Sequence, residues 1–180
     1  MSSIFLNGTS SSGKSSIARA IQKLSLAPYI HLQVDMILGA LHWESPSVSE
    51  RQDECLQTCI TNFHKSLPVF ITPPFYGIID HVVLREDEYK ECLDCLSGLS
   101  YVTVGVRCPL EALIKRELDR GDRKIGLAAR QFDKVHSNRE YDIEVDTSTM
   151  TPEQAAEIIL NHIKELPNKS EQVTPRQLSD

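Results

Sequence analysis

No stretch of this 180-residue chain approaches the roughly 20 consecutive apolar residues that a membrane-crossing helix needs. Basic charge is also in deficit. Nineteen Lys and Arg stand against 25 Asp and Glu, and the formal net charge of −6 argues against general attraction to nucleic acid or to anionic lipid. Cysteines number five, an odd count that a reducing compartment suits best. Cys55 with Cys59, and Cys92 with Cys95, lie at helical spacing, so they are expected to pack as small apolar residues and not to assemble a zinc site. The first apolar run is only a few residues long and gives no secretory core. These deficits together lead to the expectation of a cytoplasmic protein with neither nucleic acid nor membrane as partner.

What is present is ordinary in amount and specific in arrangement. Hydrophobic residues make up 41% and charged residues 24%, enough for one domain with a full core. Strand and helix signals alternate along the chain, as expected of a three-layer α/β/α fold around a five-stranded parallel sheet. Strands are expected at 3–7, 29–34, 68–72, 100–107 and 142–146, and helices near 14–26, 48–65, 86–97 and 109–120. Ser47-Val48-Ser49-Glu50 and Thr151-Pro152-Glu153-Gln154 read as capping boxes, the second opening a final helix. The domain is expected over 1–166, and the polar tail 167–180 has too little to bury to fold.

Gly8-Thr9-Ser10-Ser11-Ser12-Gly13-Lys14-Ser15 matches the phosphate-binding pattern G-x-x-x-x-G-K-[ST]. Each position has a task. Gly8 and Gly13 let successive backbone N–H groups turn inward around phosphate oxygens. Lys14 supplies a point charge for the β- and γ-phosphates, and the Ser15 hydroxyl is a ligand for Mg²⁺. Ile4-Phe5-Leu6 before the loop reads as a strand. Ile17, Ala20, Ile21 and Leu24 after it line one face of a helix whose N-terminus faces the anion. Gly8 to Ser15, with Ser16, are therefore the expected ATP-binding residues.

Asp35 closes the second expected strand, facing the crevice beyond the strand ends where ligands of open parallel sheets bind. Two uses compete there: accepting the proton of an acceptor hydroxyl, or capping a helix that begins at Met36. Residues 107–139 hold nine of the nineteen basic side chains against five acids. Within them, Arg120-Gly121-Asp122-Arg123 marks a break between helical pieces, and Arg120 and Arg123 are the expected phosphate contacts of a mobile segment. Aromatic residues are sparse, and two clusters, His42-Trp43 and Phe75-Tyr76, are candidates to line an apolar acceptor pocket.

With these residues in place the chain resembles chloramphenicol phosphotransferase, a small-molecule kinase of the P-loop superfamily. The likeness runs through Phe5 to Ser15, through Val34-Asp35-Met36-Ile37, and through Val104 to Pro109, Arg120 to Arg123, Ala128 to Gln131, Val135-His136 and Glu140-Tyr141-Asp142-Ile143-Glu144-Val145-Asp146-Thr147. It implies ATP- and Mg²⁺-dependent phosphorylation of a primary hydroxyl on chloramphenicol or a related compound, an antibiotic-modifying activity. It further implies Asp35 as catalytic base, a helical lid at about 116–135 carrying Arg120 and Arg123, and Thr147 near the nucleotide base. Pro73-Pro74 departs from the family, which carries acidic residues after the third strand. That departure leaves two further expectations open: a kinase for another metabolite alcohol, or a nucleotide-binding module without transferase activity.

Overall fold

The computed structural model describes residues 1–121 and 125–166. Arg123 and the tail 167–180, both assigned roles from sequence, lie outside the described residues. In chain order the elements are β1 (Ser3–Asn7), α1 (Lys14–Leu24), β2 (Tyr29–Gln33), α2 (Val34–Leu38), α3 (Pro46–Ser49), α4 (Gln52–Phe70) and β3 (Tyr76–His81). They continue with α5 (Glu86–Cys95), β4 (Tyr101–Arg107), α6 (Leu110–Arg120), α7 (Leu127–Val135), β5 (Ile143–Asp146) and α8 (Pro152–Glu165). The five strands form one parallel sheet in the order β2-β3-β1-β4-β5.

β1 sits at the centre and is buried throughout. Successive side chains of a strand point to opposite faces, so its apolar run feeds two cores. Ile4 and Leu6 pack with Ile78, Val104, Ile17, Ile21 and Ile159 on the α1–α8 side. Phe5 packs with Ile79, Leu32, Phe63, Leu67 and Leu96 on the α4–α5 side. A third, smaller cluster of Cys108, Leu113 and Ala128 joins α6 to α7. The carboxyl ends of β1, β2 and β3 therefore open on one edge, where the glycine loop also lies.

Two sequence expectations require correction. The third strand is not at 68–72, where α4 continues to Phe70; β3 begins at Tyr76. Pro68 and the β-branched residues after it read as a strand start, but Phe63, Leu67 and Ile71 fall four apart and bury one helical stripe. That burial carries the helix past a proline that cannot donate to the His64 carbonyl. The capping box at Ser47 does not form either. A short helix starts at Pro46, and α4 starts at Gln52 with no side-chain cap. The box at Thr151 does form: the Gln154 N–H donates to Thr151 Oγ1 at 3.2 Å, and the Thr151 N–H donates back to Gln154 Oε1 at 2.9 Å. Of the four spaced cysteines, only Cys92 is buried and the others are half-buried. Burial raises the Cys92 thiol well above its ordinary range, which keeps it inert.

Candidate active site

The loop from Gly8 to Gly13 joins β1 to α1 and forms one wall of a cavity of about 1150 Å³. Its backbone needs its glycines. A Cβ on Gly8 would lie 2.5 Å from the Val106 carbonyl oxygen, and Gly13 has φ +97°. Ser10, Ser11, Gly13, Lys14, Ser15 and Ser16 line the cavity, with Thr9 on a smaller neighbouring pocket of about 400 Å³. The buried Ser11 and Ser12 hydroxyl oxygens have no hydrogen-bond partner in the protein. A cradle with a Cβ-free floor and spare hydroxyl groups fits phosphate oxygens.

Lys14 is 6% exposed and donates to the Gly8 and Thr9 carbonyl oxygens at 2.9 and 2.8 Å. Its ammonium also stands 3.9 Å from Asp80 Oδ1. Asp80 is the next-to-last residue of β3, beside the loop, and the sequence reading misses it because it places that strand too early. The signal was there: Gly77-Ile78-Ile79-Asp80 is an apolar strand ending in a carboxylate. Pro73-Pro74 precede the strand, and a carboxylate does stand near the end of β3, six residues beyond Pro74. Asp80 Oδ2 accepts from Ser15 Oγ at 2.6 Å and from Gln33 Nε2 at 3.0 Å, with His31 Nε2 at 3.1 Å. Burial by itself would raise its pKa. The His31 hydrogen bond, the Lys14 charge and the Ser15 and Gln33 hydrogen bonds outweigh it and hold the carboxyl well below the usual range.

Asp35 faces the same cavity, though not from a strand end. It is the second residue of α2 and exposed in that helix's first turn; because α2 begins at Val34 with Gln33 at the N-cap position, Asp35 does not cap a helix beginning at Met36. Arg120 ends α6, lines the cavity and is followed by Gly121 at φ +66°. Thr147 follows β5 and lines the cavity too; its Oγ1 donates to the Ser12 carbonyl oxygen at 2.8 Å. The structure thus gathers Lys14, Ser15, Ser16, Asp35, Arg120 and Thr147 around one space. His42 and Trp43 are not among its lining residues, nor are Phe75 and Tyr76. Phe75 and Tyr76 stand at the start of β3, at the opposite edge of the sheet from the loop. Besides Asp80, sequence reasoning missed Gln33, Arg116 and Gln131, whose partners are brought in by the fold.

Behind the end of β3 three buried side chains converge: His64, His81 and Glu88. They are of ligand type, but their hydrogen bonds define another role. The Val82 N–H donates to His81 Nδ1 at 2.9 Å, which places the ring proton on Nε2. That proton is directed at His64 Nε2, 3.0 Å away. Burial, then the neighbouring His64 and Lys14, push His81 down to about 3, and burial also lowers His64. The pair is neutral and structural.

Known proteins share this fold. The family model described as chloramphenicol phosphotransferase-like protein matches residues 2–164. A protein of Mycobacterium tuberculosis strain H37Rv named "Putative O-phosphotransferase Rv2636" is 28% identical over 171 residues, covering 83% of this chain and 76% of that protein. Among solved structures, the Mycobacterium tuberculosis APS kinase in complex with AMPPNP and APS superposes with TM-score 0.67 at 13% identity, covering 91% of this chain and 97% of that one. Shikimate kinase from Acinetobacter baumannii in complex with shikimate gives 0.66 at 14% identity, over 97% and 96%. At such identities these two establish the fold, which is that of the P-loop kinases. The family match spans nearly all of the described residues, and the chain belongs to the chloramphenicol phosphotransferase-like family of P-loop small-molecule kinases.

Proposed function

We propose that the protein transfers the γ-phosphoryl group of ATP to a primary hydroxyl of an uncharged, largely apolar small molecule, chloramphenicol or a related compound. The observation that carries this reading is the pairing of Ser15 with Asp80 beside Lys14, with Asp35 facing them in the same cavity. Gly8 to Ser16 would hold the ATP phosphates. Ser15 and Asp80 offer hard oxygen donors that suit Mg²⁺, which when bound neutralises phosphate charge. Lys14 would leave the Gly8 and Thr9 carbonyls for the β- and γ-phosphates. Asp35 would orient the acceptor hydroxyl and take its proton as the oxygen–phosphorus bond forms and the bond from the γ-phosphorus to the β–γ bridging oxygen breaks. Arg120 and Arg123, on the lid at about 116–135, would meet charge on the transferring group, and Thr147 would lie near the nucleotide base.

The cavity wall supports the choice of acceptor class. Beyond Asp35 it is built from Val34, Leu38, Leu56, Ile60 and Val82, while its described cations, Lys14, Arg19, Arg116 and Arg120, belong to the loop, α1 and α6. An acceptor bearing a carboxylate or phosphate would find no described cation among those apolar residues. Asp80 also supports a transferase over a nucleotide-binding module, because that alternative drew on a missing carboxylate. The test is label transfer from γ-labelled ATP to chloramphenicol, with Mg²⁺, by wild type and Asp35→Asn. Transfer by wild type, lowered about 10²–10⁴-fold in the variant with ATP binding intact, is the expected result. A fall of less than about fivefold would show that Asp35 is not the base and serves only as a first-turn acid that favours α2. ATP binding without transfer would redirect the search to other alcohols.

A further inference from the structure

We infer that Gln131 is a positioning residue that couples the α6–α7 segment to the phosphate loop, with Glu117 as the clasp that makes the two helices act as one piece. The inference rests on the reading of the loop as an ATP site.

The clasp begins with a local deficiency. α7 starts after Gly126, which has no side chain to cap the helix. The cap comes from the preceding helix instead. Glu117, 1% exposed on α6, accepts from the Gly126 N–H at 2.7 Å and from the Ala128 N–H at 3.0 Å, one with each carboxylate oxygen. A carboxylate at a helix N-terminus is favoured by the helix dipole as well as by the two hydrogen bonds. Burial makes it costly to break, since either rupture leaves a charge or two N–H groups unpartnered. Leu113 of α6 packs against Ala128 of α7 just beside it.

One turn further along α7, Gln131 reaches out of the segment. Its Oε1 accepts from the Ser10 N–H at 2.8 Å, across 121 residues of sequence. Both residues are 8% exposed, so water does not compete for this bond. Ser10 is the third residue of the phosphate loop. The loop is gripped a second time from α6: Arg116 donates to Thr147 Oγ1 at 2.9 Å and to the Thr147 carbonyl at 2.6 Å, and Thr147 Oγ1 donates to the Ser12 carbonyl. One side of the loop is thus held through an N–H by Gln131 of α7, and the other through a C=O by Thr147, which Arg116 of α6 holds in turn. A shift of the loop on taking up phosphate is passed to α6 and α7 together. The amide is suited to this post because it accepts a hydrogen bond without adding negative charge near the phosphates, which a glutamate would do.

The experiment measures ATP-analogue affinity and amide hydrogen exchange for wild type, Gln131→Met and Glu117→Gln. Methionine fills a similar volume with no strong acceptor. Wild type is expected to gain protection in the loop and across 110–121 and 125–135 when the analogue binds. Gln131→Met is expected to bind roughly 3- to 10-fold more weakly, the usual worth of one such hydrogen bond, and to gain protection in the loop but not in α7. Its acceptor KM should be unchanged while kcat falls. Glu117→Gln should lose the same coupling from the other helix, and the double variant should be little worse than the weaker single one. If Gln131→Met does not fold, Glu117→Gln decides. Binding by a folded variant with wild-type protection of α7 overturns this inference alone. A wild type with no analogue-dependent protection anywhere overturns the functional reading, and this inference with it.

Discussion

The two ends of the cavity are built by different rules. At the phosphate end Lys14 and Asp80 are 6% and 7% exposed, and Asp80 is held by Ser15, Gln33 and His31. At the other end Asp35 is exposed in a five-residue helix, and Leu56 is 37% exposed at the start of α4. Charge that must meet charge is kept in a dry, hydrogen-bonded frame, where electrostatic interactions are strongest and need no rearrangement during reaction. The end proposed for the acceptor is lined from α2 and α4 by Leu38, Leu56 and Ile60, which are exposed or half-buried, beside the buried Val34. On the proposed reading, the handling of phosphate and the choice of acceptor are separable, with Asp35 standing where the two meet.

The most forceful way to break that separation is at the phosphate end. Lys14→Ala and Asp80→Asn should each lower turnover by about 10³-fold, and by similar factors for every acceptor, because the groups serve the phosphoryl transfer itself. Steady-state rates on a panel of alcohols check this. A variant whose deficit varied tenfold between acceptors would show that the two ends are not independent.

Acid provides a second probe of the buried end. Folded His81 titrates near 3 and His136 near 4, the latter lowered by burial and then by the Arg107 charge, whereas an unfolded histidine titrates near 6.5. Below that value the unfolded chain takes up protons that the folded chain refuses, so stability is present above it and declines as the pH falls toward 4 and 3. The slope approaches about 1.4 kcal/mol per pH unit for each such group, or about 2 kcal/mol from His81 between pH 6.5 and 5. Asp80 adds to the loss only at lower pH, since its depressed pKa favours folding above the unfolded carboxyl value and ceases to do so below it. Urea unfolding at pH 7, 6 and 5 should show this decline, and His81→Gln should flatten it. An equal slope in the variant would remove His81 as its source.

The same division governs what was legible in the sequence. The loop, Gly8 to Ser15, is contiguous, so its spacing alone announced it, and β1, β4 and α8 followed from apolar runs and the Thr151 cap. Asp80 depended on locating β3, and Pro68-Val69-Phe70-Ile71-Thr72 has the composition of a strand while its burial is that of a helix. Gln131, Arg116 and His31 carry no local signal, because their partners Ser10, Thr147 and Asp80 lie 121, 31 and 49 residues away. Asp35 is an expectation from position and resemblance; the structure puts it on α2, lining the cavity, and not at a strand end.

The acceptor wall offers the mildest and sharpest test of the comparison. Leu56 lines the cavity from the second turn of α4 and is partly exposed in the folded protein, so Leu56→Ala removes apolar contact without opening a buried void. Truncating three carbons that are only partly desolvated by a bound acceptor is worth about 1 kcal/mol, or roughly 3- to 10-fold in acceptor KM. The ATP KM and kcat with saturating acceptor should stay within about twofold, because Leu56 makes the same contact in the ground and transition states. Thermal unfolding should be nearly unchanged, since a residue this exposed contributes little to the core. A variant that lost kcat instead would place Leu56 against the reacting hydroxyl, and the apolar wall would then belong to the chemistry and not to the choice of acceptor.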